Sequence, residues 1–514
     1  MGIPKATSRL VLTFILTSYI SVAAFYAVQT PRWQAPDEPA HFNYIEHLAT
    51  QGRFPVLETG DYPHDYLEEI KGARFPPHMS IASIRYESHQ PPLYYVLAAF
   101  VYRLTSRLGF DRQFLALRLF SVVLGAMVLY LIYRLVRAVF EATDDEPGRL
   151  AHGEFLALAA AAFAAIVPMH IAMTAAINND TLAELLLLLI LWQAVRDIRS
   201  GPTHRRAIVA GVLLGLALLT KTTLYVPALG IVVISALLQT RSREPDTSIA
   251  RLTSSRYLLY ALAVSLLLAG PWFARNAVVY GSLDVLGWRR HDMVVTGQLR
   301  TTELLSQIGP VGLAKQFVVT TFRSFWAQFG WMGVLVDGRL YQALALLSMV
   351  LALGFVSYAL QLWRGEVRLS ARQGRALLLL AVSFALSLLT YLGYNIKFVQ
   401  HQGRYLFTAL GPIAAGAALG LEEILRWRTA RLLVVALLLF ALLLVAQGVL
   451  VGDLRGWSVA LLLVGAALLA ALRWLPTGWQ WLPLASAYLS LLILNPILVR
   501  SYIVPALTFT VAGR

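Results

Sequence analysis

Apolar runs long enough to cross a bilayer recur along this chain, many of them followed by arginines, and they leave few folds open to it. The first, Leu10 to Val28, carries no charged residue. As a helix it covers the ~30 Å of a hydrocarbon core. With 58% hydrophobic residues over 514 positions, the pattern describes an all-α polytopic membrane protein, not a soluble one with several domains. Leu10–Val28 is too long and too weakly bounded for a signal peptide, and no small-residue cleavage site follows it, so it reads as a retained span. The absence of cysteine excludes disulfides, a thiol nucleophile and cysteine metal sites. A formal charge of +15 would suggest nucleic acid in a soluble chain. Here arginines gathered at helix ends follow the positive-inside rule, and no nucleic-acid partner is expected.

Lys5 and Arg9 place the N-terminus in the cytoplasm. Residues from about 30 to 112 then lie outside, with the short, tyrosine-rich Leu93–Leu108 segment suited to a helix in the membrane interface. Further spans are expected at 113–136, 155–176, 182–195, 208–219, 224–238 and 257–272. A second external region runs from about 273 to 340 with no convincing span. Spans at 341–362, 376–394 and 406–421 follow, and weaker ones at 432–450, 457–474 and 482–498. The count is about 13. The arginines at 134 and 137, 196 to 206, 241 to 256, 364 to 375 and 426 to 431 share the inner side. A transmembrane module is expected over 1–425, with additional helices over 426–514 and no separate soluble domain.

This topology, drawn from hydropathy and arginine alone, sorts the unusual polar residues. Asp37, Glu38, His89, Asn178-Asn179-Asp180, Lys221, Arg275, His401 and Arg404 all fall on the outer side. Chance scattering would not sort this way, so one extracytoplasmic site built by several loops is expected. The alternative is that each is a loop residue solvated where it sits. Pro36-Asp37-Glu38-Pro39-Ala40-His41 reads as a helix start with Asp37 as N-cap and Pro39 in the first turn. Asp37 and His41 then project to one side. Asp37 and Glu38 are either cap and dipole complement or working carboxylates. His89, held by Pro91-Pro92 at the surface, binds a phosphate or an acceptor, or merely precedes a helix. Asp180 caps a span. Lys221, flanked by threonines, makes an anion cradle or snorkels. In Gln400-His401-Gln402-Gly403-Arg404-Tyr405, glycine permits close approach and Arg404 can grip a phosphate bidentately. Carboxylates facing cations at the outer leaflet suit transfer of a group from a lipid phosphate. A carboxylate takes the acceptor's proton while Lys, Arg or a metal neutralises the departing phosphate.

At these residues the chain resembles a family. Trp33-Gln34-Ala35-Pro36-Asp37-Glu38-Pro39-Ala40-His41-Phe42, Gly52-Arg53-Phe54-Pro55 and His89-Gln90-Pro91-Pro92-Leu93-Tyr94-Tyr95 are similar to the first external loop of polytopic C-type glycosyltransferases. This class includes protein O-mannosyltransferases and the lipid A aminoarabinose transferase. Asn179-Asp180 and Leu219-Thr220-Lys221 match in order, and Gln402-Gly403-Arg404-Tyr405-Leu406 resembles a motif of bacterial members whose acceptor is uncharacterised. The resemblance covers roughly residues 9 to 425. It implies a polyprenyl-phosphate-linked sugar donor, an extracytoplasmic lipid, glycan or protein acceptor, inversion, and a base that maps to Asp37. Glu38 would be its neighbour, touching acceptor or metal. His41, His89, Asn179, Asp180, Lys221, Arg275, His401, Arg404 and Tyr405 are the candidate substrate-binding residues. A divalent cation is a possible cofactor, with Asp37, Glu38, His41, His89 and Asp180 as potential ligands. Two departures stand out. Gln90 interrupts the His-Pro-Pro tripeptide of the mannosyltransferases, and no large soluble C-terminal domain follows, which leaves the acceptor open.

The inner (plasma) membrane of a prokaryote is the expected location. Two other classes share the gross pattern. A flippase or polysaccharide transporter should place ionisable residues near mid-bilayer, where Arg118, early in the second span, is the residue to watch. A polymerase or ligase using polyprenyl diphosphate would favour an arginine-rich external loop without the Asp-Glu pair.

Overall fold

The computed structural model describes residues 5–140, 147–240, 253–475, 479 and 481–510. Arg241, Arg243 and Arg251 of the expected inner loop lie outside the described residues. The chain opens with α1 (Lys5–Gln29), then α2 (Glu38–Gln51), α3 (His64–Gly72) and α4 (Leu93–Leu104) in the first external region. A long α5 (Phe110–Phe140) returns, followed by α6 (Pro147–Ala165), α7 (Pro168–Thr174), α8 (Asp180–Ser200), α9 (His204–Leu218), α10 (Tyr225–Thr240) and α11 (Ser254–Tyr280). The second external region holds α12 (Trp288–Val294), α13 (Thr301–Trp326) and a minimal antiparallel pair, β1 (Gln328–Phe329) and β2 (Val334–Leu335). After it come α14 (Gly338–Trp363), α15 (Ala371–Lys397), α16 (Leu410–Ile424), α17 (Trp427–Val451), α18 (Gly456–Ala471) and α19 (Trp481–Leu498).

Each of the thirteen expected spans is helical, but they are not equivalent. Among the described residues nine helices are long and apolar enough to cross a membrane, and α6 with α7 makes a tenth candidate bent by 71°. The bend falls at Ile166-Val167-Pro168, where proline disfavours helical geometry in the residue before it. The other three fall short for visible reasons. α8 carries Asp180, Glu184, Arg196 and Asp197; α9 opens on His204, Arg205 and Arg206 and runs 15 residues; α18 runs 16. The 273–340 region holds more order than expected, since α13 is 26 residues long and turns at Gly309, whose φ is 70°, and Pro310. α4 is the short helix anticipated, burying Tyr94, Tyr95, Ala98 and Ala99 while Val96, Leu97, Phe100 and Leu104 stay exposed.

With little hydrophobic drive between helices in lipid, close approach comes from small residues. A Cβ on Gly354 of α14 would lie 2.3 Å from the carbonyl oxygen of Gly420 on α16, so that crossing requires glycine. At one end of the bundle lie the helix ends bearing Arg137–Glu154, His152–Glu422, Arg426–Glu423 and the buried Asp197 with Tyr257. The opposite end gathers the start of α2, the start of α8, the α9–α10 tip and the turn before α16. That end carries the candidate site.

Candidate active site

Asp37 has a left-handed backbone, φ 67°, as does Trp33 at 66°. Aspartate tolerates this region better than most residues, though at a cost. A helix N-cap ordinarily has extended backbone. Here Asp37 occupies the N-cap position of α2 but makes no side-chain cap bond. Its carboxylate turns away: Tyr86 Oη donates to Oδ1 at 2.8 Å and Arg404 Nη2 to Oδ2 at 2.8 Å. Burial opposes the charge on Asp37, but Arg404, His41 and the two hydrogen bonds outweigh it and lower its pKa to about 2. The cap alternative therefore fails at Asp37. The strained residue is aimed at a cation instead.

Glu38 points the other way. Arg118 grips it bidentately, Nε to Oε1 at 2.8 Å and Nη2 to Oε2 at 2.7 Å. The amides of Trp33 and Ile177 complete its shell at 3.0 and 3.2 Å. Arg118 also donates to the carbonyls of Ala27, Thr30 and Pro31 and lies over Phe114. Glu38 is fully buried and does not line the cavity described below. The expected contact with acceptor or metal is thus not where the structure places it. Arg118 neither lines that cavity nor snorkels. It ties the first loop to α1 and α5.

The loops are joined to one another. His89 Nδ1 donates to the carbonyl of Tyr86, and the amide of Leu93, just past Pro91-Pro92, donates to the carbonyl of Leu219 at 2.8 Å. This bond seats the first loop on the α9–α10 tip. Lys221 Nζ reaches Asp180 Oδ1 at 2.6 Å, and Asn179 Nδ2 donates to the carbonyl of Thr220. Asn178, not Asp180, satisfies the first amides of α8: its Oδ1 accepts from Asp180 and Thr181. Asp180 is left for Lys221. Arg404 stands in a 3-10 turn, Gly403–Ala409. The Gly403 amide donates to Ser324 Oγ at 2.6 Å, and a Cβ there would meet the Thr321 carbonyl at 2.2 Å. The glycine is thus needed for the turn to lie against α13, and the turn in turn aims Arg404 at Asp37.

These elements enclose a cavity of ≈ 440 Å³ lined by Asp37, His41, Glu87, His89, Asp180, Lys221, Thr222, Thr223, Arg404 and Tyr405, and by a further wall from α7, α8 and α15. Its size is that of a small-molecule pocket. His41 shares a hydrogen bond with Tyr95 Oη, and burial lowers its pKa. Burial likewise pulls His89 down to about 4 and His291 to about 3, their rings 4.7 Å apart. Burial raises Glu87 against the pull of His41. The chamber thus presents three imidazoles, His41, His89 and His291, whose protonation burial disfavours, and two carboxylate–cation pairs.

Three sequence candidates sit elsewhere. Arg275 donates to the Pro55 carbonyl at 2.6 Å and lies 4.8 Å over Trp272, pinning the first loop to α11. His401 packs edge-on to Phe317 outside the cavity. Asn179 is buried behind Asp180 as a tie between loops. The potential metal ligands do not converge: among the described residues no three His, Asp or Glu side chains are placed to hold an ion. Asp37 faces Arg404 and Tyr86, and Asp180 faces Lys221. Residues the sequence reading missed include Tyr86, Glu87, His291, and the buried pair His170 and Glu184. A carboxylate inside an apolar run marks function by default, so Glu184 in its leucine run was a usable signal.

Residues 89–274 match the family model described as dolichyl-phosphate-mannose-protein mannosyltransferase. The matched segment runs from His89 through Asp180 and Lys221 into α11, and excludes Asp37 and Arg404. No curated protein matches the chain. Among solved structures, the chain is similar to ArnT from Cupriavidus metallidurans bound to undecaprenyl phosphate, with 13% identity over 96% of this chain and 73% of that one and a TM-score of 0.47. It is also similar to the oligosaccharyltransferase AglB from Archaeoglobus fulgidus in complex with an inhibitory peptide and a dolichol-phosphate, with 14% identity over 88% of this chain and 56% of that one and a TM-score of 0.41. The family match bears out, over its segment, the resemblance read from the sequence: this multi-pass membrane protein is similar to the C-type glycosyltransferases of the mannosyltransferase branch.

Proposed function

We propose that this chain is an integral-membrane glycosyltransferase that moves a sugar from a polyprenyl-phosphate donor to an extracytoplasmic lipid, glycan or protein acceptor, with inversion. The observation that carries it is the cavity in which Asp37 and Asp180 meet Arg404 and Lys221. The donor phosphate takes its place between Arg404 and Lys221, competing with both carboxylates for their cations. As Arg404 turns to phosphate, Asp37 loses the partner that depresses its basicity and becomes a better proton acceptor. Asp37 takes the proton of the acceptor hydroxyl or amine, whose lone pair attacks the anomeric carbon. The bond from that carbon to the phosphate oxygen breaks, and its electron pair leaves with the phosphate, where the two cations balance the charge. One displacement inverts the centre. Glu38 is a positioning residue here, holding the strained turn that aims Asp37. Among the described residues no three His, Asp or Glu side chains converge as metal ligands, so the residues present do not fit a metal site and no step passes through one. The site is taken to face outside the cytoplasm, at the plasma membrane of its cell.

The test is release of free polyprenyl phosphate from a sugar-labelled donor lipid by purified protein, in step with appearance of label on an acceptor fraction. Passage of the intact lipid across proteoliposomes without bond cleavage would identify a transporter instead.

A further inference from the structure

Beneath the two carboxylate–cation pairs the cavity wall changes character. Glu184 lies one turn along α8 from Asp180, on the same face. Its Oε2 meets His170 Nε2 at 3.0 Å. Both residues are buried, and His170 Nδ1 and Glu184 Oε1 have no partner. Ser387 of α15, buried in the same wall, also has an unpartnered Oγ. Thr181 brings a further hydroxyl, and the Phe407 ring stands edge-on to His170 at 5.1 Å. Leaving buried polar atoms without partners is costly, and three of them lie in one cavity wall, from three helices, each just beneath the surface and reached by a ligand once its side chain turns toward the cavity. An isoprenoid chain has nothing to offer them. Phosphate is a poor match too, because the Glu184 carboxylate repels it, whereas Arg404 and Lys221 stand at Asp37 and Asp180. A ring carrying several hydroxyls, each both donor and acceptor, satisfies an imidazole nitrogen, a carboxylate oxygen and a serine hydroxyl together.

We propose that His170, Glu184 and Ser387 form the subsite that reads the hydroxyls of the donor's pyranose ring, one helical turn inward from the phosphate. This assignment rests on the transferase reading above and adds to it which residues distinguish the sugar. It predicts that the subsite contributes to binding of the sugar-bearing lipid and nothing to binding of the bare lipid phosphate.

The experiment titrates the purified full-length protein in detergent with polyprenyl phosphate, bare and carrying mannose, glucose or galactose. Wild-type protein should bind one of the sugar lipids more tightly than the bare lipid. Glu184→Gln keeps size, and Ser387→Ala removes one hydroxyl from a helix that stays intact. Glu184→Gln should weaken the preferred sugar lipid about ten-fold or more, and Ser387→Ala about three- to ten-fold. Bare polyprenyl phosphate should stay within two-fold in both. Equal weakening of bare and sugar-bearing lipid would make the pair a structural strut, and unchanged binding of both would remove the subsite. Wild-type protein preferring no sugar lipid over the bare one would overturn the subsite alone. Wild-type protein binding none of the four would overturn the transferase reading and the subsite with it.

Discussion

Two neighbouring residues of one loop each meet an arginine, and the two resulting regions behave in opposite ways. The Glu38–Arg118 region is closed. Side chains are 0% and 2% exposed, both carboxylate oxygens are bonded, and the guanidinium is saturated by three carbonyls as well. The Asp37–Arg404 region is open. Asp37 keeps 27% of its side chain exposed, receives one bond per oxygen and borders a cavity. A saturated ion pair holds loops together and has no bond to give a substrate. A lean one at a cavity can exchange partners. Sequence proximity made Asp37 and Glu38 look like a pair, whereas partner and solvent access divide them into an open ion pair at a cavity and a closed one inside the fold.

The contrast is broken most directly by Asp37→Asn. The amide keeps the size and still accepts from Tyr86, yet cannot take a proton. Turnover should fall about 10²–10⁴-fold while polyprenyl-phosphate binding persists. Near-normal transfer with a saturating donor would return Asp37 to a structural role. The closed region should answer in stability instead. Arg118→Met leaves the Glu38 charge buried beside two amides, and breaking such a pair costs about 3–5 kcal/mol. Thermal unfolding in detergent should show it. The Glu38→Leu, Arg118→Met double variant should recover much of the loss, since it strands no charge. A double variant no more stable than Arg118→Met would mean that Glu38 matters through the Trp33 and Ile177 amides. Third comes Arg404→Lys, which keeps the charge but loses the planar fork. Donor efficiency should drop roughly ten- to a hundred-fold, the value of a charge-assisted hydrogen bond. If Arg404→Ala transfers at the wild-type rate, Lys221 alone holds the phosphate.

The sequence made the membrane class and the helix order legible because apolar length and arginine position act locally. It also made legible that Asp37, His41, His89, Asp180, Lys221, Arg404 and Tyr405 share one end of the bundle, where the structure sets them around one cavity. Sidedness is a property of each loop and survives without knowledge of contacts. Partner choice is not. That Arg118 meets Glu38, 80 positions away, and Arg275 meets the Pro55 carbonyl, depends on how α5 and α11 pack. The His170–Glu184 pairing was out of reach for a related reason: each is a polar residue in an apolar run, and it is the turn from α7 into α8 that sets them 3.0 Å apart.

The smallest effect sharpens the comparison through acid. In the folded protein Asp37 sits near 2, below the ordinary carboxylate value of 3.8, with burial opposing its charge and Arg404 the first group to stabilise it. A depressed folded value adds stability that is fully present above the unfolded pKa and is lost as pH falls from about 4 toward 2. The amount is on the order of 2 kcal/mol. In Arg404→Gln that contribution disappears, and burial becomes the dominant influence on Asp37, so its carboxyl should rise above the unfolded value. The sign then reverses: protonation relieves a buried charge, so relative to the wild type, which shares every other titrating group, the variant should gain stability on acidification between about pH 6 and 4. His41, also beside Asp37, is held below its ordinary value by burial and is present in both proteins. Unfolding midpoints of both proteins across pH 3 to 7 read the difference. Parallel curves would mean that Arg404 and Asp37 are not electrostatically linked in solution, and the open pair would lose its claim to be the partner exchanged on donor binding.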